Sequence, residues 1–559
     1  MFRGRALQRV LGWSLSHQGG AYRCARSCFS SQSSVPKPLV YNTLTKMVEP
    51  IEMLKYQNTL TWYSCGPTVY DSAHLGHART YVCTDILRRI LRTTFGIHTK
   101  LVMGLTDVDD KIIKRSGEGQ PSPGNPNSND RFLQLARQYE NEFFDDLDRL
   151  NVSRPAAVAR VSEHMEDIIA YVATICDNGY GYETGDGVYF SCNDLGDSYG
   201  ALARSKEDVS AQDEEAGMAS VRGKRDKRDF ALWKKTCPDT TPGWESPWGW
   251  GRPGWHIECS AMTHSLLGDK IDVHSGGIDL QFPHHNNEVA QCQAHNNCDD
   301  WVHRFVHFGH LHIDGLKMSK SLKNFITINA LLGDGLDGVD AKFAGDDFRI
   351  FCLLHHYRSN VTYSKDRIRD AAAVRKAFDH FVQDARAVIK SRRAAEDDLG
   401  DTAAKKWTGA DKALFERIAE AKDQYIQAFS NDFDTPAGIK VLRAACTQTR
   451  DHLTSCNSEV PSELLADIVD WVESSLEDLG LAFVHAGGST GVQGGESVED
   501  VLEAFAEFRS TMRRIASQKD GVNKGELFKA CDLVRDEIFP SLGYELKDGA
   551  GGQSSVRRK

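Results

Sequence analysis

The chain has 559 residues, 40% of them hydrophobic and 26% charged, with a formal net charge of −11. These proportions fit a globular protein of two to four domains and exclude a disordered, low-hydrophobicity chain. No apolar run approaches the roughly 18–20 residues a membrane helix needs, so no membrane insertion is expected. The acidic balance also argues against an indiscriminate phosphate binder such as a bulk DNA-binding protein.

The first segment, MFRGRALQRVLGWSLSHQGGAYRCARSCFSSQSSVPKP, carries Arg3, Arg5, Arg9, Arg23 and Arg26, and the first acidic residue is Glu49. Arg-rich, Ser-rich and acid-free composition reads as a transit peptide over residues 1–37, which predicts the mitochondrial matrix. Removing it takes away six positive charges and moves the formal charge from −11 to −17. The 14 cysteines are irregularly spaced and no secretory signal precedes them. In a reducing compartment that pattern predicts buried thiols, and metal ligands where one is special, rather than disulfides.

Asn58 to Cys65 (NTLTWYSC) reads as a short strand. HLGHARTYVCTDILRRILRTTFG follows with Tyr81, Ile86, Leu87, Ile90 and Leu91 near one helical face, and Gly96 stops it. HTKLVMGLTDVDD returns as a second strand. Strand, crossover helix and strand make a βαβ unit, hence a parallel sheet with ligands at the carboxyl ends of its strands. The expected fold is an α/β Rossmann-like catalytic domain with an inserted region, followed by a mainly α-helical part. Its first half spans 38–130 and an insertion spans 131–250. That insertion holds an amphipathic helix (RFLQLARQYENEFFDDLDRL), a polar stretch (SKEDVSAQDEEAGMASVRGKRDKRD) and a Trp-rich turn region. The second half of the catalytic domain spans 251–330, a connecting region 331–365, and a helical domain 366–485. A Gly-rich linker at 486–497 leads to a small helical module at 498–559. Local basic patches are expected around Arg88, Arg89 and Arg92, around Lys224, Arg225, Lys227 and Arg228, and at Arg513 and Arg514.

Three constellations carry chemistry. In CGPTVYDSAHLGHAR, His74 and His77 flank Gly76 where a loop enters a helix. A helix N-terminus offers free N–H groups and partial positive charge, which suits phosphate, and Gly76 lets a nucleotide approach the backbone. Taken alone, the pair reads equally as two surface histidines. In GLKMSKSLKNF, Lys317, Ser319 and Lys320 can follow charge developing on a transferring phosphate, although a lone KMSKS could be a solvated basic loop. Third, Cys65, Cys259, His284 and Glu288 form a credible tetrahedral zinc set, with the last two spaced i, i+4. Scattered residues of these types are more often core or surface.

The first two motifs together, in this order across a βαβ sheet, resemble the class I aminoacyl-tRNA synthetases. GLTDVDDKIIK at 104–114 and DVHSGGIDLQFPHH at 272–285 resemble the cysteinyl-tRNA synthetases within that class. The resemblance covers most of 55–365 and returns weakly in RDEIFPSLGYELKDG near the end. It departs at Asn286, where an acidic residue is usual, and at Lys323, where glycine often stands.

It implies ATP binding by His74, Gly76, His77, Lys317, Ser319 and Lys320, with His74, His77, Lys317 and Lys320 catalytic. It implies one Zn2+ on Cys65, Cys259, His284 and Glu288, Mg2+ with ATP, and cysteine contacts at Gly66, Thr106, Trp255 and His274. A metal suits the discrimination, because a small pocket separates cysteine from serine poorly and a soft cation separates sulfur from oxygen well. The implied partners are tRNA(Cys), ATP and L-cysteine, with no DNA, and a monomer is expected. It also implies a secondary cysteine persulfide synthesis using pyridoxal phosphate at lysines matching Lys111, Lys114, Lys317 and Lys320. Two rivals remain at this point: a ligase of the same fold joining cysteine to a small amine, and a silent paralogue that only binds RNA.

Overall fold

The computed structural model describes residues 36–117, 130–205, 223–238, 241–313, 325–333, 340–399, 407–455 and 460–483. Shorter described pieces lie at 208, at 316–317 and between 505 and 558. The transit peptide predicted for residues 1–37 lies almost wholly outside them.

A five-stranded sheet in the order β11-β10-β3-β4-β5 positions the site. Its strands are β3 (Thr59–Thr68), β4 (His98–Thr106), β5 (Ala157–Arg160), β10 (Ile271–Gly277) and β11 (Val302–Phe308). Every neighbouring pair is parallel. Near-continuous burial along β3, β4 and β10 is what a sheet covered on both faces requires. Chain order runs outward from β3 in one direction and from β10 in the other. The switch point, where an open α/β sheet forms its crevice, therefore lies between these two strands.

Before this sheet a short antiparallel pair, β1 (Leu39–Asn42) and β2 (Met47–Pro50), packs by Thr43 and Asn42 against β11. The crossover helix α1 (Leu75–Thr93) buries Tyr81, Ile86, Leu87, Ile90 and Leu91, the face its spacing predicts. After it Gly96 takes φ +68. α2 (Asp110–Gly117) and α3 (Asp130–Arg149) follow β4. The stretch read as insertion supplies the fifth strand: β5 sits inside 131–250, so the first half of the sheet extends past 130. Its four residues, AVAR, are too few to show a period. Beyond it come α4 (Met165–Asp177) and a four-stranded antiparallel sheet, β6 (Gly181–Glu183), β7 (Gly187–Phe190), β8 (Phe230–Lys235) and β9 (Gly251–Pro253). β9 delivers the chain to α5 (Trp255–Leu267), and a kinked segment, Gln281–His285, in which Phe282 is extended, runs into α6 (Asn286–Asn296).

A small sheet of β12 (Leu311–Ile313), β13 (Leu316–Lys317) and β14 (Val361–Tyr363) carries the chain onward. The helices α7 (Ala344–Leu353), α8 (Lys365–Leu399), α9 (Gly409–Ser430), α10 (Thr435–Ser455) and α11 (Ser462–Asp478) match the helical stretch expected from 366. One hydrophobic core runs without a break from Val40 to Phe483. The last module was expected to be helical. Its described part holds α12 (Lys524–Leu533) and a hairpin, β15 (Tyr544–Asp548) with β16 (Ser554–Arg558), around a small core of its own.

Much of the basic surface expected from sequence is spent inside the fold. Arg89 pairs with Asp85 at 2.7 Å, Arg88 donates to Thr99 and the Ser153 carbonyl, Arg228 pairs with Asp226, and Arg513 with Asp548.

Candidate active site and metal centre

His74 is the N-cap of α1. Its Nδ1 accepts from the N–H groups of Gly76 at 3.1 Å and His77 at 3.4 Å, while His77 Nδ1 accepts from the His74 N–H at 3.4 Å. The two rings stack with centroids 3.8 Å apart. Two histidines thus build a reciprocal capping box, a job usually done by Ser or Thr with Glu or Gln. Because each Nδ1 is an acceptor, the proton of each neutral ring sits on Nε2. His77 is held neutral, its pKa pushed down to about 3 by burial and then by His74.

The segment after the lysine-rich loop runs alongside this helix start. Leu75 N–H donates to the Ile326 carbonyl and Ile328 N–H to the Ala73 carbonyl, both at 3.0 Å. On the other side of the loop Lys317 lies in β13, paired with His312. Both flanks of KMSKS are therefore tied down, one of them against HLGH. Ser319 and Lys320 lie outside the described residues.

At the switch point, Cys65 near the end of β3, Cys259 in α5, His284 in the kinked segment before α6 and Glu288 in the first turn of α6 converge. One ligand atom from each lies within 4.8 Å of all the others. All four are buried. The Cys65 and Cys259 sulfurs are 3.8 Å apart, and two metal–sulfur bonds of roughly 2.3 Å at a tetrahedral angle give about 3.8 Å. Glu288 Oε1 is 3.0 Å from His284 Nε2 yet makes no hydrogen bond, leaving a buried carboxylate oxygen without a donor. Two thiols, an imidazole and an orphaned oxygen at these spacings fit a zinc ion.

The charges agree with that fit. Burial pushes the Cys65 thiol up, whereas the hydrogen bond from Cys65 pulls Cys259 down. Burial alone would raise Glu288, but His274 and His284 hold it at about 2. Burial would lower His284, but Glu288 and Cys259 lift it to about 10. The cluster attracts positive charge.

Around these four stand histidines that the sequence reading left unassigned. His256 Nδ1 is 2.9 Å from His284 Nδ1, which turns His284 Nε2 toward Glu288. His285 Nε2 lies 3.3 Å from the Cys65 sulfur, and its Nδ1 2.8 Å from His307, whose other nitrogen meets Thr43. Cys65, His274, His285 and Glu288 form an overlapping tetrad. It is the poorer donor set, with one thiol in place of two. The doublet in FPHH and the histidines of WHIEC and VHFGH were the available signals. Chain spacing does not show that they meet.

The residues expected to touch cysteine sit as follows. Trp255 stacks on His284 with centroids 4.4 Å apart, at the wall of the cluster. Gly66 lies so close to β4 that a Cβ there would fall 2.2 Å from the Gly104 carbonyl. The Thr106 hydroxyl donates to Glu258 at 3.3 Å. His274 is fully buried and meets Glu288 Oε2 at 2.8 Å, behind the cluster. Lys111 and Lys114 are exposed on α2, Lys111 with its ammonium over Tyr70. A Schiff-base lysine needs a desolvated setting, so these two do not fit pyridoxal phosphate.

A parallel sheet whose crossover helix starts on a histidine cap, with the segment after KMSKS bonded to that helix start, is the arrangement of a class I aminoacyl-tRNA synthetase. The family model described as "tRNA synthetases class I (C) catalytic domain" matches residues 51–373. "Cysteine--tRNA ligase, cytoplasmic" of Dictyostelium discoideum is 39% identical over 88% of this chain and 73% of its own length. "Probable cysteine--tRNA ligase, mitochondrial" of Xenopus tropicalis is 36% identical over 98% and 94%. Among solved structures, Mycobacterium tuberculosis methionyl-tRNA synthetase with methionyl-adenylate shares the fold. Its TM-score is 0.58 at 15% identity, over 77% of this chain and 93% of that one. The chain belongs to the cysteine–tRNA ligases, and it is a ligase that joins cysteine to tRNA.

Proposed function

We propose that the chain charges tRNA(Cys) for mitochondrial translation through a cysteinyl-adenylate, selecting cysteine at a zinc centre held by Cys65, Cys259, His284 and Glu288. The observation that carries this is the convergence of those four ligand atoms within 4.8 Å at the sheet's switch point. When bound, zinc supplies a soft Lewis acid that prefers a thiol to a hydroxyl. The chain's own residues do the rest. His74 and His77 donate Nε2–H to the phosphates of Mg·ATP, neutral donors whose rings are locked by the helix they cap. Lys317 and Lys320 place positive charge on the α-phosphate as the cysteine carboxylate attacks and pyrophosphate leaves. That charge acts most strongly in the transition state. Trp255 covers the substrate from its stack on His284, and His274 fixes the Glu288 carboxylate. The 2′-hydroxyl of the terminal adenosine then takes the acyl group, while the helices from 365 onward bind the tRNA. The mitochondrial assignment rests on the acid-free leader and on relatives of that name; relatives named cytoplasmic match equally.

The test is amino-acid-dependent pyrophosphate exchange across the twenty amino acids, with metal analysis of the same sample. Cysteine alone should support exchange, with about one zinc per chain. Active, metal-free protein that still rejects serine would overturn the zinc reading.

A further inference from the structure

Arg79 follows His77 by two residues on α1, and it is 1% exposed. Among the described residues its partners are three backbone carbonyls rather than a carboxylate. Nη1 donates to Gly309, between β11 and β12, and Nη2 donates to Ser359 at 2.6 Å and His356 at 3.2 Å, in the turn before β14. A buried cation is costly unless hydrogen-bonded, and a planar fork spans two segments in a fixed geometry that a flexible ammonium does not hold. The two backbones it joins are themselves in close contact. Gly309 N–H donates to the Tyr357 carbonyl at 3.0 Å, and Val361 N–H to the His310 carbonyl at 2.9 Å. A Cβ on Gly309 would fall 2.3 Å from the Ser359 carbonyl oxygen, so the approach requires glycine. From Gly309 the chain enters β12, which pairs with β14 and with β13, where Lys317 stands opposite His312. Both flanks of KMSKS therefore rest on the start of α1, one through Arg79 and the other through the backbone of Ala73 and Leu75.

We propose that Arg79 is a positioning residue for adenylate formation: through Gly309 and the turn at Ser359 it sets the β12–β13 hairpin, and Lys317 on it, against the histidines of its own helix. This rests on the reading of Lys317 as a group that acts on the α-phosphate, and deepens it. Lysine and histidines meet one triphosphate from separate segments, so their mutual placement matters more than the position of either. The histidines are fixed by the helix they cap, and Arg79 carries that reference to the hairpin. An interaction that acts most strongly in the transition state is sensitive to such placement, so kcat suffers before substrate binding does. Cys65, Cys259, His284 and Glu288 share none of these hydrogen bonds, which leaves metal and cysteine binding outside the effect.

Arg79→Lys keeps the charge and loses the fork. In pyrophosphate exchange kcat should fall about tenfold or more, the scale of a misplacement of up to about 1 Å. KM for cysteine and metal content should stay within about twofold of wild type. Because the effect runs through Lys317, it should fade where that lysine is absent: in a Lys317→Ala background, Arg79→Lys should cost less than about twofold more. Should Arg79→Lys not fold, Gly309→Ala, which drives the hairpin from the Ser359 turn with Arg79 in place, should show the same loss and the same non-additivity. Losses that multiply in full in the double variant, or a rise in KM for cysteine with kcat intact, overturn the role of Arg79 and leave the reading of Lys317 standing. A Lys317→Ala single variant that exchanges at the wild-type rate overturns both.

Discussion

At the scale of single residues, His77 does two jobs that substitution can separate. Its Nδ1 caps the His74 N–H, and under the proposed function its Nε2 meets phosphate. His77→Ala loses both: pyrophosphate exchange should fall about 10²–10³-fold, as for loss of a preorganised donor, and stability by about 1 kcal/mol. His77→Asn places Oδ1 where Nδ1 was and lacks the farther N–H. Its melting temperature should recover while its exchange rate stays low. Equal recovery of both would show that His77 acts only as a cap. Cys259→Ser tests the other half of the site. Zinc content should drop below about half an equivalent, since hydroxyl is a poor zinc ligand, and preference for cysteine over serine should collapse in exchange assays. The four proposed ligands were legible in the sequence because two of them share a helical spacing and all four match the pattern of the resembled family. His256, His285 and His307 were not. They sit on α5, the kinked segment before α6 and β11, and only the folded sheet brings them around Cys65.

At the scale of elements, α1 is held from several sides by one buried arginine. Arg349 on α7 pairs with Asp85 of α1 at 2.8 Å, and donates to the carbonyls of Leu150 and Asn151 after α3 and of Leu479 after α11. Both partners are about 1% exposed. The helix that carries HLGH is thereby registered against three other helices. Asp85→Asn leaves this guanidinium buried without its counter-charge and should cost about 3–5 kcal/mol at neutral pH, read by urea unfolding. The pH dependence has a definite sign. Burial alone would raise the Asp85 pKa, but Arg349, Arg89 and the Ser153 N–H outweigh it and the net shift is downward. A carboxyl with a folded pKa below its unfolded value, roughly 3.9, contributes stability above that value and loses it as pH falls toward the folded pKa. The gap between wild type and Asp85→Asn should therefore be constant above about pH 5 and shrink below about pH 4. A gap that grew on acidification would refute the assignment. The sequence displayed this helix plainly, through nineteen residues with one apolar face. It hid the clamp, because Asp85 and Arg349 stand 264 positions apart and a buried charge looks like a surface charge until its partner is known. β5 escaped for a related reason: four residues acquire strand identity only from the edge of β4 that they join.

At the scale of the whole molecule, the boundary of the main body is not where composition changes. The helical stretch begins near 365, yet the core continues through it to Phe483, and Asp432 at the end of α9 accepts from the Tyr41 N–H at 2.8 Å and the Tyr357 hydroxyl at 2.6 Å. Arg358 joins the same carboxylate at 2.8 Å. Cutting at 366 would strip apolar surface from α1 and α7 and take Asp432 from β1, so lost activity in such a fragment would report unfolding. The last module differs. Ala506, Phe539, Tyr544 and Leu546 form a separate small core, and among the described residues Lys547 and Arg557 form ion pairs with Asp384 of α8 at 4.0 and 3.6 Å. Single, partly exposed pairs of this kind contribute on the order of 1 kcal/mol. Truncation after Phe483 should therefore leave the melting temperature of the main body and cysteine-dependent pyrophosphate exchange within about twofold of the full chain. Charging of tRNA should fall by at least about tenfold, a loss of roughly 1.4 kcal/mol of tRNA-dependent stabilisation. If exchange falls in step with charging, the module supports the catalytic fold; if neither falls, tRNA is gripped wholly by α8–α11.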